Sequence, residues 1–370
     1  MTSAAKTRTG FLLFALMIAV SIATACRAQP ESTARAVYPD TTWMQVASLP
    51  NAGWSPAKIE ATRAVADSLG AKAVMLIHRG AVVTEWGRTR ELAPIASIRK
   101  SLFSALFGIA VAEGQIDTSA TLADLGIDDD PPLTGAEKQA RVADLLKTSS
   151  GVYHQAAGES PRTRKPERGS AEPGERWYYN NWDFNVLGTI YEQETGTRVY
   201  EAFEEEIAAP IGMEDYDPGW GSYRLHPDRS KHPSYPLWMT ARDLARFGLL
   251  YLREGRWEDR QIVPAEWVAA SSRVHMDVPY EPVAGYGLSW WIPSGPLKAY
   301  GTYLAAGAGS QSIMILPELD IVFVFRSSAV LDRGVNGLEV RDILMQLLDA
   351  RTESAQVDPD LVPWTEQTQR

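Results

Sequence analysis

Ser97 and Lys100 are the two residues whose types and spacing most directly suggest chemistry. They stand three residues apart at the start of the apolar stretch "SIRKSLFSALFGIAVAEG", residues 97–114. Positions i and i+3 of a helix share a face, so the Lys100 amine can reach the Ser97 hydroxyl. Burial favours the neutral amine, which can accept the proton of a serine nucleophile. The competing interpretation is an ordinary helix start, because serine is also a common N-cap.

The Ser-x-x-Lys spacing is a weak signal on its own, because it occurs three times in this chain. Ser3–Lys6 lies in the N-terminal segment, and Ser55–Lys58 is explained by an N-cap followed by the first helical turn. The helix after Ser97 is apolar nearly all round and should therefore be buried. A lysine at that position is costly unless it has a task or a partner.

A second group of polar residues occurs in "ERWYYNNWDFNVLG", residues 175–188. A tyrosine at the edge of a cleft can relay the proton of a serine to a leaving group, and Tyr179 is placed to do so. Asn181 offers both a donor and an acceptor, which suits the orientation of Lys100 and of an ester or amide substrate. The alternative is an aromatic turn that packs on the core.

Taken together, these residues resemble the serine hydrolases of the class C β-lactamase and penicillin-binding-protein superfamily. The similarity is to the branch that includes esterases and 6-aminohexanoate-oligomer hydrolases, and it covers roughly residues 45 to 350. Besides the serine and tyrosine motifs, it is carried by "LLKTSSGVYH" at 145–154 and by "WMTARDLARFGLLYLREGRWEDRQIVPAEWV" from Trp238. The resemblance implies that Ser97 is the nucleophile and that Lys100 and Tyr179 together act as the general base. It also implies that Asn181 orients Lys100 and the substrate.

The register of the tyrosine motif is set by its distance to the Leu187-Gly188 pair, which favours Tyr179 and Asn181. A slip of one residue would make Tyr178 and Asn180 the pair instead. The dominant base, Lys100 or Tyr179, is left open by the sequence.

The third motif of the family is usually a cation, a small residue and a glycine, and here it is Ala305-Ala306-Gly307. The absent cation argues against efficient β-lactam hydrolysis and for a neutral ester or amide. The resemblance implies that the N–H groups of Ser97 and Ala308 form the oxyanion hole, with Gly307 admitting the substrate. Tyr153 and Trp182 lie close to the motifs in sequence, and we expect them to line a pocket.

Strand patterns occur near both ends of the chain, with helices and polar loops between them. Two β-rich runs flank Arg79-Gly80, and further strands are predicted between 286 and 328. This arrangement predicts an α/β (α+β) fold of the β-lactamase/transpeptidase type: one antiparallel sheet built from both chain ends, flanked by helices. The block from about 120 to 255 is predicted to form a helical lobe.

Composition narrows the class of partner. The 370-residue chain has a net charge of −10 and no long basic run, which argues against nucleic acid and for a small-molecule ester or amide. Its five histidines form no metal-spaced pair, so no metal or other cofactor is predicted. The sequence does not indicate an oligomeric state.

The N-terminus has the pattern of a secretory signal over residues 1–25, with basic residues before a short apolar stretch. Cys26, the only cysteine, follows a segment that resembles the lipid-attachment box of bacterial lipoproteins. Ordinary cleavage at Ala25 or Ala28 is the alternative. Residues 26–42 are predicted to be a tether, 43–352 one hydrolase domain, and 353–370 a polar tail. The protein is therefore expected to be exported and periplasmic, with membrane contact only through a lipid anchor at Cys26.

The function predicted from these observations is hydrolysis of an ester or amide bond of a small substrate through an acyl-enzyme on Ser97. One alternative is a D-Ala-D-Ala peptidase or a β-lactamase that acts on cell-wall-like substrates. Another, from a different class, is a catalytically silent lipoprotein that binds peptidoglycan. Such a binder has no need of a charged lysine beneath the serine.

Overall fold

The computed structural model of the protein describes residues 36–160, 163–327, 336–352 and 359–365. The predicted signal segment and Cys26 lie outside these residues. The described strands, in chain order, are β1 (Met44–Val46), β2 (Ala71–His78), β3 (Ala81–Gly87), β4 (Ala93–Pro94), β5 (Arg224–His226), β6 (Ser230–Ser234), β7 (Trp238–Met239), β8 (Arg256–Trp257), β9 (Arg260–Gln261), β10 (Val283–Tyr286), β11 (Trp291–Pro293), β12 (Tyr303–Gly307), β13 (Gln311–Leu316), β14 (Ile321–Ser327) and β15 (Leu361–Pro363).

Nine of these strands form one sheet in the order β10-β11-β12-β13-β14-β2-β3-β1-β15. All neighbours are antiparallel except β1 and β3, which pair in parallel through Gln45 and Val82. The join between the two chain ends is β14 against β2, where Phe323 lies opposite Leu76. The predicted antiparallel sheet built from both ends is therefore confirmed.

The described helices are α1 (Pro56–Ser68), α2 (Ile98–Ala112), α3 (Val142–Leu146), α4 (Asn181–Thr195), α5 (Val199–Phe203), α6 (Ala241–Leu252), α7 (Ala265–Ser271) and α8 (Gly337–Asp349). Short 3-10 turns occur at Glu137–Gln139, Pro218–Trp220, Gly295–Tyr300 and Pro317–Leu319, and a π turn at Glu204–Ala208. No helix among the described residues is both long and apolar enough to span a membrane.

The central strands are apolar on both faces because helices cover both faces. Along β14, Val322 and Val324 join the core cluster under α2 and α6, whereas Phe323 and Phe325 join the cluster under α1 and α8. Successive side chains of a strand point to opposite faces, so an uninterrupted apolar run is what such a strand requires. Helix α2, and with it Ser97, is packed against this sheet.

Helix α6 lies within the segment predicted to form the helical lobe, 120 to 255, but it packs directly on the sheet. A methyl group on Gly248 would fall 2.5 Å from Val322 of β14, so the helix backbone rests directly on the strand. Thr240 caps the helix by accepting from the Asp243 N–H at 3.1 Å. The Asp243 carboxylate accepts from the N–H groups of Glu214 and Asp215.

Both predicted flanks of the domain make ordered contacts where they are described. Within the predicted tether, the carbonyls of Pro39 and Asp40 accept hydrogen bonds from Arg246 at 3.2 and 2.8 Å. Within the predicted polar tail, Leu361–Pro363 forms β15, which pairs with β1. These segments are held by backbone hydrogen bonding, which polar composition does not reveal.

Candidate active site

Ser97 is the residue just before α2, and its hydroxyl does not cap that helix. By contrast, the Ser55 hydroxyl accepts from the Lys58 N–H and caps α1. Ser97 therefore keeps its hydroxyl for another use, and it is partly exposed to solvent. The preceding residue, Ala96, has φ +50°, a left-handed conformation that is strained for a residue with a side chain. Strain of this kind is common at functional sites.

Lys100 lies one turn into α2, beneath the serine, and is only 3% exposed. Its Nζ donates to Ser97 Oγ at 3.1 Å, to Tyr179 Oη at 2.6 Å and to Asn181 Oδ1 at 2.7 Å. The four side chains that the sequence selected therefore meet at one nitrogen. Two hydroxyls and one amide oxygen surround the amine.

The tyrosine motif approaches from a loop that leads into α4. Tyr179 and Asn181 reach Lys100, which agrees with the favoured register. Their neighbours point elsewhere: Tyr178 Oη donates to the Arg164 carbonyl at 3.0 Å, and Asn180 Nδ2 donates to the Val152 carbonyl at 2.6 Å. The slipped register would place neither group at the amine.

The titration behaviour of the cluster follows from its burial. Burial lowers the pKa of the Lys100 amine well below its usual value, and the adjacent Arg99 guanidinium lowers it further. Burial raises the pKa of the Tyr179 hydroxyl to about 12, although a hydrogen bond with Ser97 opposes this. The amine is therefore shifted toward its neutral, basic form, and the phenol stays protonated at neutral pH.

Strand β12 ends against the residues just before the nucleophile. A methyl group on Gly307 would fall 2.7 Å from the Ile95 carbonyl oxygen and 3.2 Å from the Ser97 nitrogen. Only glycine lets the strand come this close. Ala308 follows Gly307 directly in sequence and is exposed.

Aromatic rings surround Tyr179 and fix its orientation. Trp291 of β11 stacks on it, with centroids 5.3 Å apart and planes 23° apart. Phe184 and Tyr286 contact it at 5.4 and 6.3 Å. The two interpretations of this segment, an aromatic turn that packs on the core and a tyrosine that takes part in proton transfer, therefore do not exclude each other.

The two residues expected to line a pocket, Tyr153 and Trp182, lie in different surroundings. Trp182 is fully buried, and its indole N–H donates to Asp129 at 2.6 Å, so it does not line an open pocket. The prediction for Trp182 was wrong because α4 turns this side chain toward the 128–130 loop. Tyr153 is mostly buried and does line a cavity, of about 400 Å³.

Sequence reasoning missed two charged residues beside the cluster. Asn181 Nδ2 donates to Glu159 Oε1 at 3.4 Å, and Glu159 pairs with Lys165 Nζ at 3.3 Å. Both side chains are largely buried, at 5% and 11% exposure. Glu159 and Lys165 lie in a stretch without helical or strand periodicity. The one feature of the sequence that could have indicated their pairing is that they carry opposite charges and lie close together in a polar stretch.

In residues 36–160, 163–327, 336–352 and 359–365, no three His, Cys, Asp or Glu side chains are grouped so that they could hold a metal ion.

Comparisons with known proteins agree with the fold. A family model described as beta-lactamase matches residues 58–338. An uncharacterized protein of Alkalihalophilus pseudofirmus is 24% identical over 308 residues, which make up 72% of this chain and 86% of that protein.

Two solved structures have the same fold as this chain. A candidate 6-aminohexanoate-dimer hydrolase from Bacillus anthracis is 21% identical with a TM-score of 0.62, covering 86% of this chain and 87% of that one. A D-stereospecific amidohydrolase from Streptomyces is 18% identical with a TM-score of 0.58, covering 78% of this chain and 98% of that one.

Proposed function

The chain belongs to the beta-lactamase family of serine hydrolases, and we propose that it cleaves an ester or amide bond of a small substrate through an acyl-enzyme on Ser97. One observation carries this proposal: the Ser97 hydroxyl is not used as a helix cap and lies 3.1 Å from a buried amine. A serine that only began the helix would direct its hydroxyl at the first-turn N–H groups.

In the acylation step, Ser97 Oγ attacks the substrate carbonyl carbon while its proton passes to the Lys100–Tyr179 pair. The N–H groups of Ser97 and Ala308 stabilise the negative charge on the carbonyl oxygen of the tetrahedral intermediate. The same pair then returns the proton to the leaving alcohol or amine. Water attacks the resulting ester, and the steps run in reverse to release the acid and free Ser97.

The directions of the two pKa shifts support a division of roles. A lowered pKa makes the Lys100 amine the better proton acceptor, and a raised pKa keeps the Tyr179 hydroxyl able to donate. Asn181 holds the amine through its amide oxygen. Lys100 is then the base and Tyr179 the relay to the leaving group.

The peptidase and β-lactamase alternatives have less support. In the β-lactam-recognising members that this chain resembles, a cation in the third motif helps to hold the carboxylate, and Ala305-Ala306 supplies none. The silent binding protein stays the alternative from a different class, and labelling of the serine separates it from a hydrolase.

The test is reaction of the purified protein with a fluorophosphonate probe, followed by peptide mass analysis. We expect one adduct, on Ser97, and its loss in Ser97→Ala. Ser55→Ala is the matched control, because Ser55 has the same spacing to a lysine but caps a helix, and its labelling should equal wild type. Labelling that persists in Ser97→Ala, or none in folded protein, would reject the mechanism.

Export and lipid attachment at Cys26 stay predictions that rest on the sequence alone. The mass of the mature N-terminus distinguishes a lipid-modified Cys26 from cleavage at Ala25 or Ala28.

A further inference from the structure

The two N–H groups expected to form the oxyanion hole follow strands of two different sheets. Ala308 follows β12 of the large sheet, whereas Ser97 follows β4 (Ala93–Pro94), which pairs with β7 in a separate two-stranded sheet. A methyl group on Gly307 would fall 3.2 Å from the Ser97 nitrogen, so the two backbones approach closely here. Contacts that join the two sheets at this point therefore determine the spacing of the two donors.

Gln311 joins the two sheets through its side-chain amide. It is the first residue of β13 and lies opposite Gly307 in the pairing of β12 with β13. Its Nε2 donates to the Pro94 carbonyl at 3.1 Å and to the Ala308 carbonyl at 3.3 Å. One nitrogen therefore holds both the strand that leads to the nucleophile and the turn that carries the second expected donor.

Arg326 of β14 holds the other end of this amide. Its Nε donates to Gln311 Oε1 at 3.1 Å, and its Nη1 donates to the carbonyls of Met239 at 2.7 Å and Glu91 at 3.2 Å. The glutamine and the arginine are both buried, at 3% and 5% exposure. Because an arginine can only donate hydrogen bonds, the amide oxygen must face it. The amide nitrogen is thereby directed at the two carbonyls.

The backbone is strained on each side of these contacts. Ala96, just before the nucleophile, has φ +50°, and Ser310, just before Gln311, has φ +56°. The Gln311 amide bonds the carbonyl two residues before each of them, at Pro94 and at Ala308. Strain of this kind persists only where the surrounding contacts impose it. The buried amide is therefore placed to hold both strained segments.

We propose that Gln311 is a positioning residue that fixes the distance between the N–H groups of Ser97 and Ala308. Arg326 keeps its amide in the required orientation. This inference rests on the proposed function, because it assigns the two N–H groups to the oxyanion of the reaction at Ser97. Loss of the Gln311 donor should weaken stabilisation of that oxyanion and leave the residues of proton transfer unchanged.

The test is Gln311→Glu, which keeps the size of the side chain but replaces the donor nitrogen by an acceptor oxygen. Burial lowers the pKa of the Arg326 guanidinium only to about 10, so it stays charged at neutral pH and can pair with the new carboxylate. The free energy of unfolding, measured by urea denaturation, should therefore stay close to that of wild type. The second carboxylate oxygen repels the two backbone carbonyls and should displace them.

The readout compares two probes that differ in one atom at the oxyanion position. A fluorophosphonate presents a P=O oxygen to the two N–H groups, and its thio counterpart presents a P=S sulfur, a weaker acceptor. With either probe, Ser97 Oγ bonds to phosphorus, fluoride leaves, and the serine proton passes to the Lys100–Tyr179 pair. In Gln311→Glu, the rate of labelling by the P=O probe should fall by about 10- to 100-fold, less than for loss of a whole donor. The rate with the P=S probe should fall by about threefold or less, because it depends little on these donors.

Gln261→Glu is the matched control. The Gln261 Nε2 also donates to two backbone carbonyls, those of Glu254 at 2.9 Å and Val263 at 2.6 Å, but it is exposed and lies in the hairpin of β8 and β9. Its labelling rates should equal those of wild type. Gln311→Met removes the donor without adding a charge and should show the same selective loss. It decides the question if the carboxylate variant does not fold.

Two results would overturn the inference: Gln311 variants that react like wild type, or equal losses with the two probes, which would make Gln311 a purely structural residue. The proposed function is judged separately, by whether labelling of the wild-type protein occurs on Ser97 and is lost in Ser97→Ala. Labelling elsewhere, or none, rejects the hydrolase mechanism. Labelling of Ser97 with an unchanged ratio of the two rates rejects only the role of Gln311.

Discussion

Two clusters of buried cations in this protein have opposite surroundings. Arg242 on α6 is 0% exposed and ion-pairs with Glu85 and Glu214, each at 3.1 Å. Lys100 on α2 is almost as buried, but in the described part of the chain its amine forms no ion pair and donates its hydrogen bonds to hydroxyl and amide oxygens. A buried charge without a counter-charge shifts toward its neutral form. The first cluster is therefore built to keep its charge, and the second to give up a proton.

The largest expected effect comes from removing the unpaired amine. Lys100→Met should lower kcat/KM by about 10²- to 10⁴-fold, the range attributed to general acid–base catalysis. The free energy of unfolding should not fall, because the variant no longer buries an amine without a carboxylate partner. Ester hydrolysis and urea denaturation measure the two quantities. A drop of about 3 kcal/mol in unfolding free energy would make Lys100 a structural cation like Arg242.

The paired cluster should respond in the opposite way. Glu85→Gln leaves Arg242 with one carboxylate fewer and should lower the free energy of unfolding by about 3 kcal/mol. The kcat/KM of the folded fraction should match wild type. Glu91→Gln is the control, since its ion pair with Arg88 is exposed and should contribute less than about 1 kcal/mol. Equal losses in the two variants would contradict the distinction between the clusters.

The dependence on pH should reveal the unpaired amine directly. Because the pKa of folded Lys100 lies below its ordinary 10.5, kcat/KM should rise with pH along a limb well below pH 10.5, by about tenfold per unit. Between the two pKa values the unfolded chain binds more protons, so stability should also rise with pH there. Lys100→Met should flatten that slope in stability, whereas Lys58→Met, at an exposed site, should not. A limb centred at 10.5 would contradict the shift.

The smallest expected effect concerns the rings that hold Tyr179. Trp291→Leu removes the stacked partner of Tyr179 and should cost about 1 kcal/mol of stability, the usual scale for aromatic pairs. A loss of that size at the transition state corresponds to about fivefold in kcat/KM. Thermal unfolding and ester hydrolysis check both values. An unchanged kcat/KM would show that the hydrogen bond to Lys100 suffices to orient the phenol.

Features with local causes could be predicted from the sequence. Ser55 caps α1, and Arg79-Gly80 connects β2 to β3, as the turn chemistry indicates. The meeting of Lys100, Tyr179 and Asn181 was accessible because the residues of each motif are close in sequence and the two motifs together are specific.

Features with distant partners could not be predicted in the same way. Asp129 lies in a run of three aspartates that suggests a solvated loop, yet it is buried and accepts from Trp182 and Ser230. Arg242 stands on an amphipathic helix whose charged side would ordinarily face water, and its partner Glu85 is 157 residues away. Burial of these charges depends on contacts between segments that no local pattern records.

The pairing of β2 with β14 has a consequence for the time course of synthesis. Ribosomes add about 5–20 residues per second, so the roughly 240 residues between His78 and Ile321 need about 12 to 50 s. Throughout that interval β2, with the apolar run from Ala73 to Ile77, has a neighbour on one edge only. An open apolar edge is a template for wrong pairing. The nascent chain must therefore be kept from aggregating until its last quarter has been made.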